Sequence, residues 1–181
     1  SPGLTYLHHF GPGPSDGFWP NPLVAAPNGA IYGTTTRGGA TTQGTLYRLN
    51  PSSSTRTVLF EFSANPTNGN QPRGPLVCGS DGRLYGTAAG GTNSQGVIFR
   101  IETNGANYTV LRHTTNAPSS LIEGSDGRIY FVEGGIAGMD RDGANHGVIS
   151  MEYTTLILEG ADGSIYASDS QQTIRKMNKN G

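Results

Sequence analysis

Short apolar segments separated by polar turns recur along the whole chain, and no apolar periodicity of helical length accompanies them. The clearest pattern is a Gly turn followed by an apolar strand that contains a Tyr. Its four copies are Asn28-Gly29-Ala30-Ile31-Tyr32, Asp81-Gly82-Arg83-Leu84-Tyr85, Asp126-Gly127-Arg128-Ile129-Tyr130 and Asp162-Gly163-Ser164-Ile165-Tyr166. Because Asn-Gly and Asp-Gly supply the positive φ of a two-residue hairpin turn, each copy predicts a β-hairpin. Spacings of 53, 45 and 36 residues between the copies predict a repeat architecture.

The residues around each copy align into four units, at 22–62, 75–114, 120–153 and 156–181. Each of the first three units has the pattern of four strands, whereas the last has only three. Tyr6-Leu7-His8-His9-Phe10 matches the pattern of the fourth strands. We therefore predict that residues 4–10 are the closing strand of the last unit.

This arrangement predicts an all-β fold: a four-bladed β-propeller with four antiparallel strands per blade, closed by the N-terminal strand in the manner called Velcro closure. One domain then covers residues 1–181. The alternative is an eight-bladed propeller formed by two chains, in which each N-terminal strand completes the last blade of the partner. A monomer is favoured because four diverged blades with matched terminal strands can close one ring.

Composition removes several function classes. Twelve basic and thirteen acidic residues give a net charge of −1, which lacks the basic excess of a nucleic-acid-binding protein. Cys78 is the only cysteine, so this chain alone forms neither an intrachain disulfide nor a thiolate zinc cluster. No apolar stretch has the length of a membrane span.

The second unit reads Pro75-Leu76-Val77, then Asp81-Gly82-Arg83-Leu84-Tyr85-Gly86-Thr87, Gly90-Gly91, Gln95-Gly96-Val97-Ile98-Phe99-Arg100 and Thr109-Val110-Leu111. This pattern, with a matching first unit, resembles the bacterial tandem repeat called GloVer, which is found in choice-of-anchor surface proteins. The last two units keep the Asp-Gly turn and the Tyr but lack the paired-Gly hairpin. In them, Arg128-Ile129-Tyr130-Phe131-Val132-Glu133 is more similar to the repeat of streptogramin lyases. The resemblance implies a bacterial, extracellular or cell-surface propeller, or part of a larger protein, and implies no defined chemistry.

The segments before the first two units are long, so we predict a wall of loops on one half of a propeller face. Phe18 and Trp19 lie in the Pro-rich segment before the first unit. They either stack on a sugar or peptide ligand or fold back to anchor the loop. Arg37, in the hairpin 36–44, and Arg73, in the segment 64–75, complete the predicted ligand-binding residues.

The first strands of the units should line the central channel, and their equivalent positions are Ala25, Cys78, Glu123 and Glu159. Two neighbouring carboxylates could hold a hard cation such as calcium, sodium or magnesium. The other interpretation is that each Glu bonds to backbone donors or to an Arg of a neighbouring blade. No other cofactor is predicted.

No catalytic constellation is recognisable, so we predict a non-catalytic module that binds a glycan, peptide or protein on its loop face or channel mouth. The alternative is a propeller lyase acting on a polysaccharide or lactone through His and Glu side chains of different blades. The two differ in whether a His lies within hydrogen-bond reach of Glu123, Glu133 or Glu159.

Overall fold

The structure, a computed structural model, describes residues 3–11, 16–65, 67–92 and 95–180. Over these residues it contains sixteen strands and no helix, and the strands form four antiparallel sheets. Sheet 1 has five strands, sheets 2 and 3 have four each, and sheet 4 has three. The predicted all-β class is therefore confirmed.

The strands of sheets 1 and 2 include the longest in the described chain. Sheet 1 contains β1 (Gly17–Pro20), β2 (Val24–Ala25), β3 (Ile31–Gly38), β4 (Thr45–Asn50) and β5 (Thr55–Glu61). Sheet 2 contains β6 (Asn70–Cys78), β7 (Arg83–Ala89), β8 (Val97–Glu102) and β9 (Thr109–His113). In sheet 2, β6 pairs with both ends of β7, whereas in sheet 1 two short strands, β1 and β2, share β3.

The strands of sheets 3 and 4 have at most four residues. Sheet 3 contains β10 (Leu121–Glu123), β11 (Ile129–Val132), β12 (Ile136–Met139) and β13 (Gly147–Ser150). Sheet 4 contains β14 (Leu156–Glu159), β15 (Ile165–Ser168) and β16 (Ile174–Met177). Strand order follows the chain in both sheets. The wall predicted for one half of a propeller face is thus formed by the longer strands of sheets 1 and 2 as well as by loops.

The four Gly turns have one geometry, which differs from the predicted two-residue hairpin. The N–H of Gly82 donates to the Gly79 carbonyl at 2.9 Å, and the N–H of Gly79 donates to the Arg83 carbonyl at 2.8 Å. Only the Gly has positive φ, +76° at Gly82, while Asp81 accepts the Arg83 N–H through its side chain at 3.1 Å. The turn is therefore a three-residue loop that ends in a left-handed Gly.

The sheets stack face to face in chain order, with one apolar cluster between each successive pair. The buried clusters join sheets 1 and 2, sheets 2 and 3, and sheets 3 and 4. The inner strands β2, β6, β10 and β14 contact one another in sequence. This is the way in which propeller blades pack around an axis.

The repeated Tyr explains the stacking. Tyr32, Tyr85 and Tyr130 are completely buried, and each lies in the cluster that its sheet shares with the next. The hydroxyl of Tyr130 also donates to the Asp126 carboxylate at 2.6 Å, so the polar end of the ring is satisfied by its own turn. These three Tyr therefore have a structural role between successive sheets, whereas Tyr166, the fourth, is half-buried.

The predicted closing strand is not seen. Residues 3–11 have no strand assignment, and sheet 4 has three strands in the described part of the chain. Instead, the Phe10 ring packs on Tyr47 of sheet 1 with centroids 5.2 Å apart, and His8 Nε2 lies 3.1 Å from an oxygen of Asp16. These aromatic and polar contacts hold residues 4–10 against sheet 1 rather than beside β16, which corrects the predicted closure.

Candidate functional site

The longer strands of sheets 1 and 2 meet along one edge, which we call the extended edge (residues 17–21, 35–38, 70–73 and 87–89). Asn21 bridges the two sheets here, since its Nδ2 donates to the Pro72 carbonyl at 2.9 Å. The backbone N–H of Gln71 donates to the carbonyl of Gln43 at 2.8 Å. These hydrogen bonds between sheets 1 and 2 hold the two parts of the extended edge in a fixed position relative to each other.

Trp19 lies on this edge and is 65% exposed. Its backbone has φ +58°, a left-handed conformation that is strained for a bulky residue. Its ring meets Phe18 edge-on with centroids 5.4 Å apart, and Phe18 is half-buried. The interpretation that both rings fold back as anchors therefore suits Phe18 better than Trp19.

The two predicted Arg ligand contacts lie on different sheets. Arg37 is the cross-strand partner of Phe18, so these two side chains share one face of sheet 1. Arg73 is exposed on β6 opposite Thr87, whose hydroxyl donates to the Arg73 carbonyl at 2.5 Å. The structure thus groups Phe18, Trp19 and Arg37, and places Arg73 on the neighbouring sheet of the same edge.

Glu123 and Glu159 each bind the Gly turn of the preceding sheet. Glu123 accepts the backbone N–H of Ser80 at 2.7 Å and Nε of Arg141 at 2.6 Å. Arg141 also bonds to the Ser80 hydroxyl, which ties the two sheets together a second time. The carboxylate is thus held by a neighbouring turn and by a cation of its own sheet.

Glu159 repeats this arrangement one sheet further along. Its Oε2 accepts the Ser125 N–H at 2.8 Å and its Oε1 accepts the Ser125 hydroxyl at 2.5 Å, and Lys179 Nζ lies 2.8 Å from the same Oε1. Burial raises the pKa of Glu159, but the bonds from Lys179 and Ser125 outweigh it and hold the pKa below its ordinary value. We call these two arrangements the carboxylate bridges. They match the interpretation that each Glu bonds to protein donors.

The two carboxylate bridges engage different turns rather than one shared site. Over the described residues, no group of three or more His, Cys, Asp or Glu side chains has the arrangement of a metal site. The channel cation at Glu123 and Glu159 stays a prediction. The sequence alone could not identify Arg141 and Lys179 as their partners, because both lie in polar turns that follow the third strands.

The carboxylates considered for acid–base chemistry are Glu123, Glu133 and Glu159. Among the described residues, Glu133 is the one that a His side chain approaches most closely, and this residue is His146. His146 Nε2 lies 3.6 Å from an oxygen of Glu133, beyond hydrogen-bond distance. The same oxygen accepts Arg112 Nη2 at 3.1 Å. Burial, together with the charge of Arg112, lowers the pKa of His146, although Glu133 opposes this shift. Glu133 is therefore chiefly the partner of an Arg that joins sheets 2 and 3.

A groove in sheet 3 was not predicted from the sequence. It has a volume of about 390 Å³ and is lined in part by Glu133, Val148, Met151 and Tyr153. Tyr153 is 64% exposed, which makes it the aromatic side chain most comparable to Trp19. The groove is a second place where a ligand could meet an exposed aromatic ring.

Residues 1–151 match the repeat described as the Gloeobacter/Verrucomicrobia repeat. The chain belongs to this repeat family. The match spans the first three sheets of the structure, which confirms the resemblance noted from the sequence. A comparison with curated proteins gives no match. The described residues contain no helix with the length and apolarity needed to cross a membrane.

The structural neighbours are β-propeller proteins, and streptogramin B lyases are among them. A streptogramin B lyase superposes with a TM-score of 0.66 at 17% identity, covering 90% of this chain and 52% of the lyase. The nidogen/laminin complex gives 0.64 at 17% identity, with 86% and 57% covered. A gluconolactonase from Xanthomonas campestris gives 0.65 at 13% identity, with 89% and 59% covered. The chain spans between half and two thirds of these neighbours, and identities this low indicate a shared fold alone.

Proposed function

We propose that this chain is a non-catalytic propeller module that binds a glycan, peptide or protein at the extended edge of sheets 1 and 2. The four sheets act as propeller blades, and Trp19, Phe18 and Arg37 contact the ligand, with Arg73 beside them. The observation that carries the proposal is the exposed ring of Trp19 on a strained backbone. We place the module outside a bacterial cell or on its surface, as its sequence resemblance to repeats of bacterial surface proteins implies.

The backbone of Trp19 supports a ligand contact for an energetic reason. Holding a non-Gly residue in the left-handed region costs about 1–2 kcal/mol, and such strain is typical of functional sites. At 65% exposure, the ring recovers little of this cost through burial in the free protein. A ligand that covers the ring would recover apolar burial, which is the usual role of Trp at binding hot spots.

The surroundings of Trp19 also favour binding. Bonds from Asn21 to Pro72 and from Gln71 to Gln43 fix the extended edge before any ligand arrives. A preorganised platform lowers the entropic cost of association. The cross-strand pair of Phe18 and Arg37 combines an aromatic ring with a guanidinium group. This combination suits a ligand with an apolar face and hydroxyl, carbonyl or carboxylate acceptors, as in a glycan or a peptide.

The lyase alternative has weaker support. It requires a His and a carboxylate that exchange a proton, and the nearest such pair, His146 and Glu133, is 3.6 Å apart. Glu133 is also bonded to Arg112 at 3.1 Å, a contact that joins sheets 2 and 3 and indicates a structural role for this carboxylate. The geometry therefore supports the binding module ahead of the lyase.

Screening of glycan and peptide arrays with the wild-type chain, followed by titration of each hit, tests the proposal. We expect Trp19→Ala to weaken binding by about tenfold to a thousandfold, the range for a central aromatic contact. Tyr153→Ala is the matched control, because Tyr153 is as exposed as Trp19 but lies at the groove of sheet 3. Unchanged affinity of Trp19→Ala with loss of affinity in Tyr153→Ala would move the site to the groove and contradict the proposal.

A further inference from the structure

Each sheet has a forward face, which faces the next sheet along the chain, and a back face. On the forward face, an aliphatic residue of the inner strand lies opposite the repeated Tyr. The pairs are Val24 with Tyr32, Val77 with Tyr85, Ile122 with Tyr130, and Leu158 with Tyr166. The first three pairs pack against the following sheet. The fourth pair has the same chemistry and no sheet against it in the described chain.

The forward face of sheet 4 is therefore mainly apolar and is uncovered in the described chain, with the charged end of Lys176 over the Tyr166 ring. Leu158 is 57% exposed and Leu156 is 62% exposed on the same inner strand. Ile174 of β16 is 81% exposed and, through Ser168, is in register with Leu156, so it lies on the same face. The equivalent face of sheet 3 is fully used, since Tyr130, Val132 and Ile136 are buried against sheet 4. An uncovered apolar face of this kind indicates an interaction surface.

The back face of sheet 1 is the other incomplete surface of the stack. Tyr47 and Leu49 of this face are buried beneath residues 4–10, but Leu23 remains exposed. Residues 4–10 cover the sheet loosely, because a groove of about 240 Å³ runs between them and the sheet. Leu4 and Tyr6 themselves remain exposed. The segment thus shields the sheet without packing fully against it.

We propose that a second copy of this chain covers these surfaces, with the forward face of sheet 4 of each copy packed on the back face of sheet 1 of the other. Two such interfaces close a twofold ring of eight sheets. In the ring, residues 4–10 leave sheet 1 of their own chain and pair with β16 of the second copy. They then supply the outer strand that β5, β9 and β13 supply to the other sheets.

The inner edge of the stack favours a second copy as the partner. Within the chain, each polar turn residue meets a Glu of the next sheet, as Ser80 meets Glu123 and Ser125 meets Glu159. Pro27, which has no N–H, occupies the same turn position in sheet 1, and the equivalent residue of sheet 2 is Cys78, packed in the apolar cluster. The turn of sheet 4 has Ala161 at this position.

In the proposed ring, Ala161 of one copy faces Ala25 of the other, because Ala25 is the sheet 1 equivalent of Cys78, Glu123 and Glu159. The new interface therefore buries no unpaired carboxylate at its inner edge. It repeats the apolar pairing of sheets 1 and 2, while the two carboxylate bridges remain inside each chain. If sheet 1 had a Glu in place of Ala25, the carboxylate of that Glu would lack the cation and hydroxyl donors that the carboxylate bridges use.

The mass of the full chain in solution, by light scattering across micromolar concentrations, tests the proposal first. We expect about 38 kDa, twice the chain mass of 19.0 kDa. A constant 19 kDa, or species that grow beyond the dimer, would overturn the closed two-chain ring.

Leu158→Lys with Ile174→Lys should return the chain to 19 kDa, with a dissociation constant raised about a hundredfold or more, since each ring loses both side chains at both interfaces. Both residues are exposed within one chain, so the variant should keep its far-ultraviolet circular dichroism. Met151→Lys is the matched control, because Met151 is 86% exposed but follows β13 of sheet 3. Loss of the dimer in the control as well would contradict this assignment of the interface.

Hydrogen–deuterium exchange tests the strand exchange separately. In the dimer, the amides of β16 that face away from β15 should be protected by pairing with residues 4–10 and should lose this protection in the Leu158→Lys/Ile174→Lys variant. A wild-type dimer with fast exchange at these amides would overturn the strand exchange.

Discussion

The carboxylate bridge of Glu159 allows a quantitative test of how neighbouring sheets are held together. Glu159→Gln keeps the shape of the side chain and its ability to accept the Ser125 N–H, but removes the charge that pairs with Lys179. The side chains of Glu159 and Lys179 are only 13% and 14% exposed, so solvent screens this pair weakly. A hydrogen bond to a charged group contributes about 1.5–3 kcal/mol, against about 0.5–1.5 kcal/mol for a neutral one. We therefore expect the variant to be about 1–2 kcal/mol less stable.

Urea and thermal unfolding at pH 7 measure this difference. For a domain of this size, about 1–2 kcal/mol corresponds to a melting temperature lower by about 2–8 °C. Glu152→Gln is the control, since Glu152 forms an equally short pair with Arg175 at 2.8 Å but is 61% exposed. The control should change stability by less than about 0.5 kcal/mol.

The pH dependence of the stability difference between wild type and Glu159→Gln tests whether the ionised carboxylate of Glu159 causes that difference. The pKa of Glu159 is lowered in the folded state, so the unfolded chain takes up this proton at a higher pH than the folded chain does. The stabilisation is present above the ordinary Glu pKa of about 4.3 and is lost as the pH falls through the lowered folded value. The difference between wild type and Glu159→Gln should therefore shrink below pH ~4. Equal stabilities at pH 7, or a difference that persists undiminished at pH ~2, would refute the assignment of the carboxylate bridge.

Two further predictions concern the repeat itself. Tyr130→Phe removes the donor to Asp126 from a fully buried ring and should lower the free energy of unfolding in urea by about 1–2 kcal/mol. Tyr166→Phe, on a half-buried ring, should lower it by less than half as much. Equal losses of stability in the two variants would contradict the role of burial. Gly82→Ala should cost about 1–2 kcal/mol through its φ of +76° alone, because no atom crowds the added Cβ. Gly147→Ala, which also meets no atom but lacks positive φ, should be nearly neutral, and an equal cost there would contradict the turn assignment.

The strands and their stacking could be predicted because their signals are local. An Asp-Gly turn, an alternating apolar strand and the buried Tyr lie within five consecutive residues, and the same phrase in four places implies the same element four times. The turn type was wrong because Asp81 acts through its side chain rather than through a positive φ. That distinction depends on loop geometry, which the Asp-Gly dipeptide alone does not determine.

Features that depend on distant contacts could not be predicted in this way. Residues 4–10 have the pattern of an outer strand, but their position depends on contacts of Phe10 with Tyr47 and of His8 with Asp16. The partners of the carboxylate bridges are equally nonlocal, since Lys179 lies twenty residues beyond Glu159. The exposed ring of Trp19 was left open between two interpretations, because a Pro-rich segment gives no periodicity from which burial could be read.

The most direct test of the binding proposal uses the fluorescence of Trp19, the only Trp in the chain. Because the ring is 65% exposed, the free protein should have solvent-like emission that acrylamide quenches efficiently. Saturation with a ligand from the arrays should shift the emission to shorter wavelength and reduce quenching, since the ligand covers the ring. Saturated binding with unchanged emission and unchanged quenching would contradict a binding site at the extended edge.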